Sequence, residues 1–162
     1  MSMFKPRKTL KALERFLGKK EIIVIHGARQ TGKTTLLKMI TDRLIKEKGV
    51  PGENIFYFDL EDFDLLDMCN KGHKQVIAYI ESRTVEVKNK KVYLLIDEIQ
   101  YLANPSSFLK ILHDHYENLQ LIVSGSSSFQ IKSKFRESLV GRTVEFELFP
   151  LDFEEFLIFK GL

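Results

Sequence analysis

Five short apolar runs punctuate the chain: Ile22–Ile25, Ile55–Leu60, Val92–Ile96, Leu121–Val123 and Val144–Phe149. The first four are rich in Ile, Val, Leu and aromatics, as strands buried on both faces are. Between the first two runs the period becomes helical. Leu36, Ile40 and Leu44 recur every fourth residue, Leu37 and Ile45 widen the stripe, and Gly49 and Pro51 stop it, predicting a helix over about Lys33–Lys48. Asn104 followed by Pro105 reads as an N-cap and first helical residue. The helix they open is expected to run to about Asn118, with Phe108, Leu112 and His115 on one side. The connection from Phe63 to Lys91 predicts one or two more helices, the clearer over Gly72–Arg83. Thr9–Leu17 has Leu10, Leu13, Phe16 and Leu17 at helical spacing, and Phe153–Leu162 also reads as a helix.

Strands alternating with helices predict an α/β fold, a parallel sheet of about five strands with helices on both faces. A chain of 162 residues suits one domain with one core, and no internal repeat is visible. Residues 1–20 would form an N-terminal helix on the sheet edge, 21–150 the core, and 151–162 an apolar tail.

Gly27-Ala28-Arg29-Gln30-Thr31-Gly32-Lys33-Thr34 matches G-x-x-x-x-G-K-[ST] at every fixed position. It directly follows the first strand and opens the best-marked helix, the context this motif requires. Its glycines let the backbone turn tightly, so that successive N–H groups face one anion. The helix N-terminus adds its unpaired N–H groups and the positive end of its dipole. Lys33 would carry a mobile charge to the β and γ phosphates, and the Thr34 hydroxyl would ligate Mg²⁺. The expected nucleotide contacts are therefore Gly27, Ala28, Arg29, Gln30, Thr31, Gly32, Lys33 and Thr34, with Thr35 beside them.

Val92–Ile96 ends in Asp97 and Glu98. A buried strand would deliver Asp97 to the carboxyl edge of the sheet, where open α/β sheets bind ligands. Asp97 there would hold Mg²⁺, usually through water. Glu98 would polarise the water that attacks the γ-phosphate. The doublet favours hydrolysis over phosphoryl transfer to a small acceptor, and the lack of any N-K-x-D string argues against a GTPase.

Three further assignments stay open at this level. Ser124 follows the strand Leu121–Val123, which in the expected sheet lies between the phosphate-loop strand and the acidic strand. It either hydrogen-bonds the attacking water or belongs to a serine-rich turn, Ser124–Ser128. Arg29, Arg136 and Arg142 are each candidates to stabilise transition-state charge, in cis or from a neighbouring subunit, or else plain surface residues. Arg142 is preferred because it follows Gly141 and precedes the last strand. Asp59, Glu61 and Asp62 end the second strand at the same edge, where they either tune the Mg²⁺ environment or cap a turn. The histidines form no metal site, since His113 and His115 point to different sides of a helix.

The strings G-A-R-Q-T-G-K-T-T-L-L, Y-F-D-L-E-D, L-L-I-D-E-I-Q-Y, I-V-S-G-S-S and G-R-T-V-E-F-E-L-F-P-L-D-F-E-E-F occur in this order. Together they resemble the archaeal-type AAA-like ATPases of bacteria and archaea, from about Glu21 to Phe156. The resemblance implies a P-loop core with an additional strand, in sheet order 5-1-4-3-2. It also implies ATP as the nucleotide and Gln100 near the active site. Members of that family typically continue into winged-helix and nuclease-like parts, to which nothing here corresponds. The dense apolar stretch 146–159 is accordingly expected to dock such a C-terminal domain or another subunit, a homo-oligomer included.

Composition adjusts this picture only a little. The net charge is +3, but residues 1–50 carry 13 Lys/Arg against 4 Asp/Glu. That basic third would suit nucleic acid, but lysines lining solvated helix faces are the preferred reading. One cysteine, Cys69, allows no internal disulfide, which fits a reducing compartment, and no run is long enough to span a membrane. A cytoplasmic ATPase is the first expectation. A nucleotide-dependent switch with negligible turnover alone, relaying its state to an attached domain or nucleic acid, is the second. A small-molecule kinase ranks third, for want of an arginine-rich lid.

Overall fold

The computed structural model describes residues 5, 7–84, 89–127 and 137–161. Its five strands are β1 (Ile22–Gly27), β2 (Ile55–Asp59), β3 (Val92–Asp97), β4 (Leu119–Ser126) and β5 (Thr143–Glu147). They form one parallel sheet in the order β2-β3-β4-β1-β5, the order the resemblance implied. This is a P-loop NTPase sheet. β1 pairs with β4 on one side, Ile23 opposite Ile122, and with β5 on the other, Ile22 opposite Thr143.

Strand alternation feeds two separate cores. Ile22, Val24, Leu94, Ile96, Leu121 and Val123 face α3 (Phe63–Lys71), α4 (His73–Glu81) and α5 (Pro105–His115). Ile23, Ile25, Leu95 and Ile122 face α1 (Lys8–Leu13) and α2 (Lys33–Lys46). The predicted stripe of α2 is buried at Leu36, Leu37, Ile40 and Leu44. Each such side chain contributes roughly 1.5–3 kcal/mol relative to exposure. Among the described residues no helix is long and apolar enough to cross a membrane.

Several boundaries differ from the expected ones for identifiable reasons. β4 starts at Leu119 and α5 stops at His115, because Gln120 is a strand residue despite its polarity. Its side chain is fully buried and fully engaged: Nε2 donates to Phe16 O at 2.7 Å and Glu21 O at 3.2 Å, and Oε1 accepts from Gly18 N–H at 2.7 Å. A satisfied buried amide interrupts an apolar run without interrupting the strand. His115, expected beside Phe108 and Leu112, is exposed at the helix end. Asn104 precedes Pro105 as expected but makes no side-chain cap bond.

The connection after β2 holds two helices, with Gly72 (φ 120°) between them. The N-terminal helix is α1 followed by a 3-10 turn, Glu14–Phe16. At the other end, Asp152 and Glu155 form a capping box that opens α6 (Phe153–Lys160). Phe153, Phe156, Ile158 and Phe159 of α6 stand exposed, as does Phe149 before it.

Candidate functional site

β1 hands the chain to the loop at Gly27, and the loop ends where Gly32 (φ 93°) caps α2. Gly27 is required for space, since a Cβ there would lie 2.3 Å from the Leu148 carbonyl oxygen. Gly32 is required for conformation, because its left-handed φ strains any L side chain. Gln30 also takes a left-handed φ of 62°. Thr31 Oγ1 donates to Ala28 O at 3.0 Å, closing the turn. Lys33 is buried along its length and its Nζ donates to Gly27 O (3.1 Å) and Ala28 O (2.7 Å). Ala28, Arg29, Gln30, Thr34 and Thr35 are exposed around it.

The acidic pair lies against this loop. Thr34 Oγ1 donates to Asp97 Oδ2 at 2.6 Å, joining the first turn of α2 to the end of β3. Ser124 Oγ donates to Asp97 Oδ1, and the Glu98 N–H reaches the same oxygen at 3.1 Å. Ser124 is therefore a buried strand residue beneath Asp97 rather than part of a turn. Ser128 and Arg136 lie outside the described residues. Glu98 adopts φ 59° and ψ 47°, a left-handed conformation unusual for glutamate. Gln100, which the resemblance placed near the site, donates through Nε2 to Glu98 Oε2 and accepts the Ser126 N–H at 3.3 Å.

A cavity of about 430 Å³ opens here, with Arg29, Lys33, Thr34, Glu61, Glu98 and Gln100 on its walls. A second, of about 440 Å³, lies across the loop and shares Gln30 and Gly32 with it. Met39, Leu151 and Phe159 give that second cavity a mainly apolar lining, with Lys5 and Arg7 at its side.

The acidic cluster after β2 divides by role. Asp62 caps α3, accepting from the Asp64 and Leu65 N–H groups, and Asp59 Oδ1 accepts the Glu61 N–H. Only Glu61 of the three faces the phosphate-loop cavity. Arg142 is not brought to the site. It precedes β5 at the amino edge of the sheet, about 16 Å of strand from the carboxyl edge. There it makes two bonds to Asp114, of 2.8 and 3.0 Å. The cause is direction: in a parallel sheet a residue before a strand and a residue after one sit at opposite edges.

Two contributors have no counterpart in the sequence reading. Tyr57 Oη donates to Asp97 Oδ2 at 2.9 Å. Burial, then the Asp97 charge, push that phenol well above its usual range, so it stays a donor. The even alternation of β2 could have placed Tyr57 on the Asp97 face. Arg7 is the other, donating to Thr31 O (3.3 Å) in the loop, Phe149 O (2.8 Å) and Glu155 Oε1 (3.1 Å). No local signal links residues so far apart.

Hydroxyl and carboxylate oxygens side by side suit a hard divalent cation. Among the described residues no cluster of three or more His, Cys, Asp or Glu could cage an ion alone. An ion at Thr34 and Asp97 would need oxygens from a phosphate ligand or water.

A model of the AAA domain family matches residues 19–157. An uncharacterized protein of Haemophilus influenzae is 30% identical over 141 residues, covering 87% of this chain and 34% of that protein. An uncharacterized protein of Methanocaldococcus jannaschii is 34% identical over 141 residues, 86% of this chain and 28% of its own. The chain thus spans about a third of the length of the curated relatives it matches. Among solved structures, the Aeropyrum pernix ORC1 protein in complex with DNA superposes with a TM-score of 0.65 at 15% identity, over 99% of this chain and 50% of that one.

Proposed function

The chain belongs to the AAA domain family as an archaeal-type AAA-like P-loop ATPase domain, and on that premise we propose that it binds ATP with Mg²⁺ and hydrolyses it to ADP and phosphate. The observation that carries this reading is the 2.6 Å bond from Thr34 Oγ1 to Asp97 Oδ2. It joins the phosphate loop to the acidic strand at a cavity that Lys33 and Glu98 also line.

The phosphates lie in the first cavity and the base and sugar in the more apolar second one, the loop running between them. Lys33 leaves the loop carbonyls for the β and γ oxygens. Thr34 and Asp97 hold Mg²⁺, which would neutralise phosphate charge. Glu98 takes the proton of a water whose oxygen bonds the γ-phosphorus, while the bond from that phosphorus to the β-bridging oxygen breaks. Ser124 supports this from below by holding Asp97. Among the described residues Arg29 lies on the wall of the first cavity, where it can meet the γ-phosphate, whereas Arg142 lies at the opposite edge of the sheet from its own chain's loop.

Steady-state hydrolysis and ATP affinity, measured for the parent, Lys33→Ala and Glu98→Gln, test the reading. Lys33→Ala is expected to lose binding. Glu98→Gln should bind normally and turn over about 10²–10⁴-fold more slowly, the usual contribution of general base catalysis. Equal turnover in Glu98→Gln and the parent would remove Glu98 from the chemistry.

A second reading, a nucleotide-dependent switch, has its own support in Arg7. Its bonds to Thr31 O and Glu155 tie the phosphate loop to α6, whose exposed phenylalanines suit a C-terminal domain or partner protein. Tight ATP binding without turnover in the parent would favour this reading.

A further inference from the structure

The Asp97 carboxylate is held by four donors at once, three of them from other segments of the chain. Oδ2 accepts from Thr34 Oγ1 on α2 (2.6 Å) and from Tyr57 Oη on β2 (2.9 Å). Oδ1 accepts from Ser124 Oγ on β4 and from the Glu98 N–H (3.1 Å). Donors on both oxygens fix the plane of the carboxylate, and its outward edge is left to face the cavity where a cation would sit. Thr34, Ser124 and the main chain are expected of a strand end beside a phosphate loop. Tyr57 is the unexpected member.

Its reach follows from strand geometry. Tyr57 pairs with Leu95, two residues before Asp97, and alternation puts all three side chains on the α2 face. Two strand residues advance about 6.6 Å, close to the length of a tyrosine side chain. A phenol rooted at 57 therefore ends at the carboxylate of 97. Phenylalanine would fill the same space in the core and leave one side of Oδ2 without a donor.

We propose that Tyr57 is a positioning residue, whose hydroxyl locks the orientation of Asp97 and thereby favours Mg²⁺ over Ca²⁺ at the nucleotide site. This rests on the Mg-nucleotide reading above. Mg²⁺ demands near-ideal octahedral geometry at about 2.0–2.1 Å, so its water and carboxylate partners must be held still. Ca²⁺ accepts looser arrangements at about 2.3–2.6 Å and gains little from a fixed carboxylate. A tyrosine that merely packs in the core would influence both ions alike or neither.

The test uses the full chain and Tyr57→Phe, which retains the ring and its packing. Binding of an ATP analogue carrying an N-methylanthraniloyl fluorophore is measured in EDTA, then during separate titrations with Mg²⁺ and Ca²⁺. Affinity in EDTA should be the same for both proteins. The Mg²⁺ midpoint should rise about tenfold in Tyr57→Phe, the lower end for the loss of an outer-shell partner. The Ca²⁺ midpoint should move less than about twofold, narrowing the preference between the ions. Midpoints that stay together, whether both shift or neither does, overturn the role of Tyr57 and leave the ATPase reading standing. A parent whose nucleotide binding ignores Mg²⁺ overturns the ATPase reading itself, and this inference with it.

Discussion

Arg7 Nε lies 3.1 Å from Glu155 Oε1, with the two side chains only 9% and 7% exposed. The remaining guanidinium nitrogens donate to Thr31 O and Phe149 O. Removing one member leaves a buried charge unpaired, at a cost of about 3 kcal/mol. Arg7→Ala is therefore expected to lower the melting temperature by roughly 6–12 °C. Arg7→Met combined with Glu155→Leu should recover part of that loss, since an apolar pair needs no charge partner. Thermal unfolding of the three proteins by circular dichroism checks both statements.

Gly27→Ala tests the close approach of loop and tail. The new methyl would meet Leu148 O at 2.3 Å, and that residue is pinned by its N–H to His26 O at 2.7 Å. Backbone on both sides must shift, so a destabilisation of about 2–3 kcal/mol is expected. It should appear as a lower urea midpoint at unchanged slope.

The Arg142–Asp114 pair predicts an acid limb in stability. Arg142, and His113 after it, hold the Asp114 carboxyl well below the usual carboxylate range. A depressed folded pKa adds stability that is complete above the ordinary value near 3.8 and is lost as pH falls toward the folded one. The stability gap between parent and Arg142→Ala should hold steady above about pH 5 and close below about pH 4. Turnover of Arg142→Ala should match the parent within about twofold, because the residue sits at the far edge of the sheet.

Cys69 is buried, and desolvation pushes its thiol up to about 12. The native protein should not react with a disulfide reagent at pH 8, whereas denaturant should release one thiol per chain. Fast native labelling would contradict that burial.

Gln100→Ala separates holding Glu98 from binding nucleotide. Gln100 bonds Glu98 on one side and the Ser126 N–H on the other, fixing a carboxylate whose backbone is left-handed. Turnover is expected to drop about tenfold with ATP affinity unchanged, a loss confined to the transition state. Equal losses in binding and turnover would reassign Gln100 to the pocket wall.

The phosphate loop and the Asp97–Glu98 pair were legible because each is a local string whose neighbours, Ile22–Ile25 and Val92–Ile96, announce the strand that carries it. The alternating faces of the sheet were legible for the same reason. Gln120 was not, since a buried amide is recognisable only by its partners, and Phe16, Gly18 and Glu21 lie about a hundred residues away. Arg142 was not separable from its own chain's site in the sequence, because proximity to a strand says nothing about which edge of the sheet the residue meets. Tyr57 could have been found by alternation alone. Arg7 could not, because its partners Thr31, Phe149 and Glu155 share no spacing with it.

The parallel pairing of β1 also dictates when the loop can take shape. Its neighbours on either side come from residues 119–126 and 143–147, so Gly27 is not supported on both sides until residue 147 has been made. Pairings this distant in sequence close slowly, and synthesis proceeds at only about 5–20 residues per second. A nascent chain therefore carries its phosphate loop for several seconds before the sheet can frame it, and no ligand of that loop can reward folding before then.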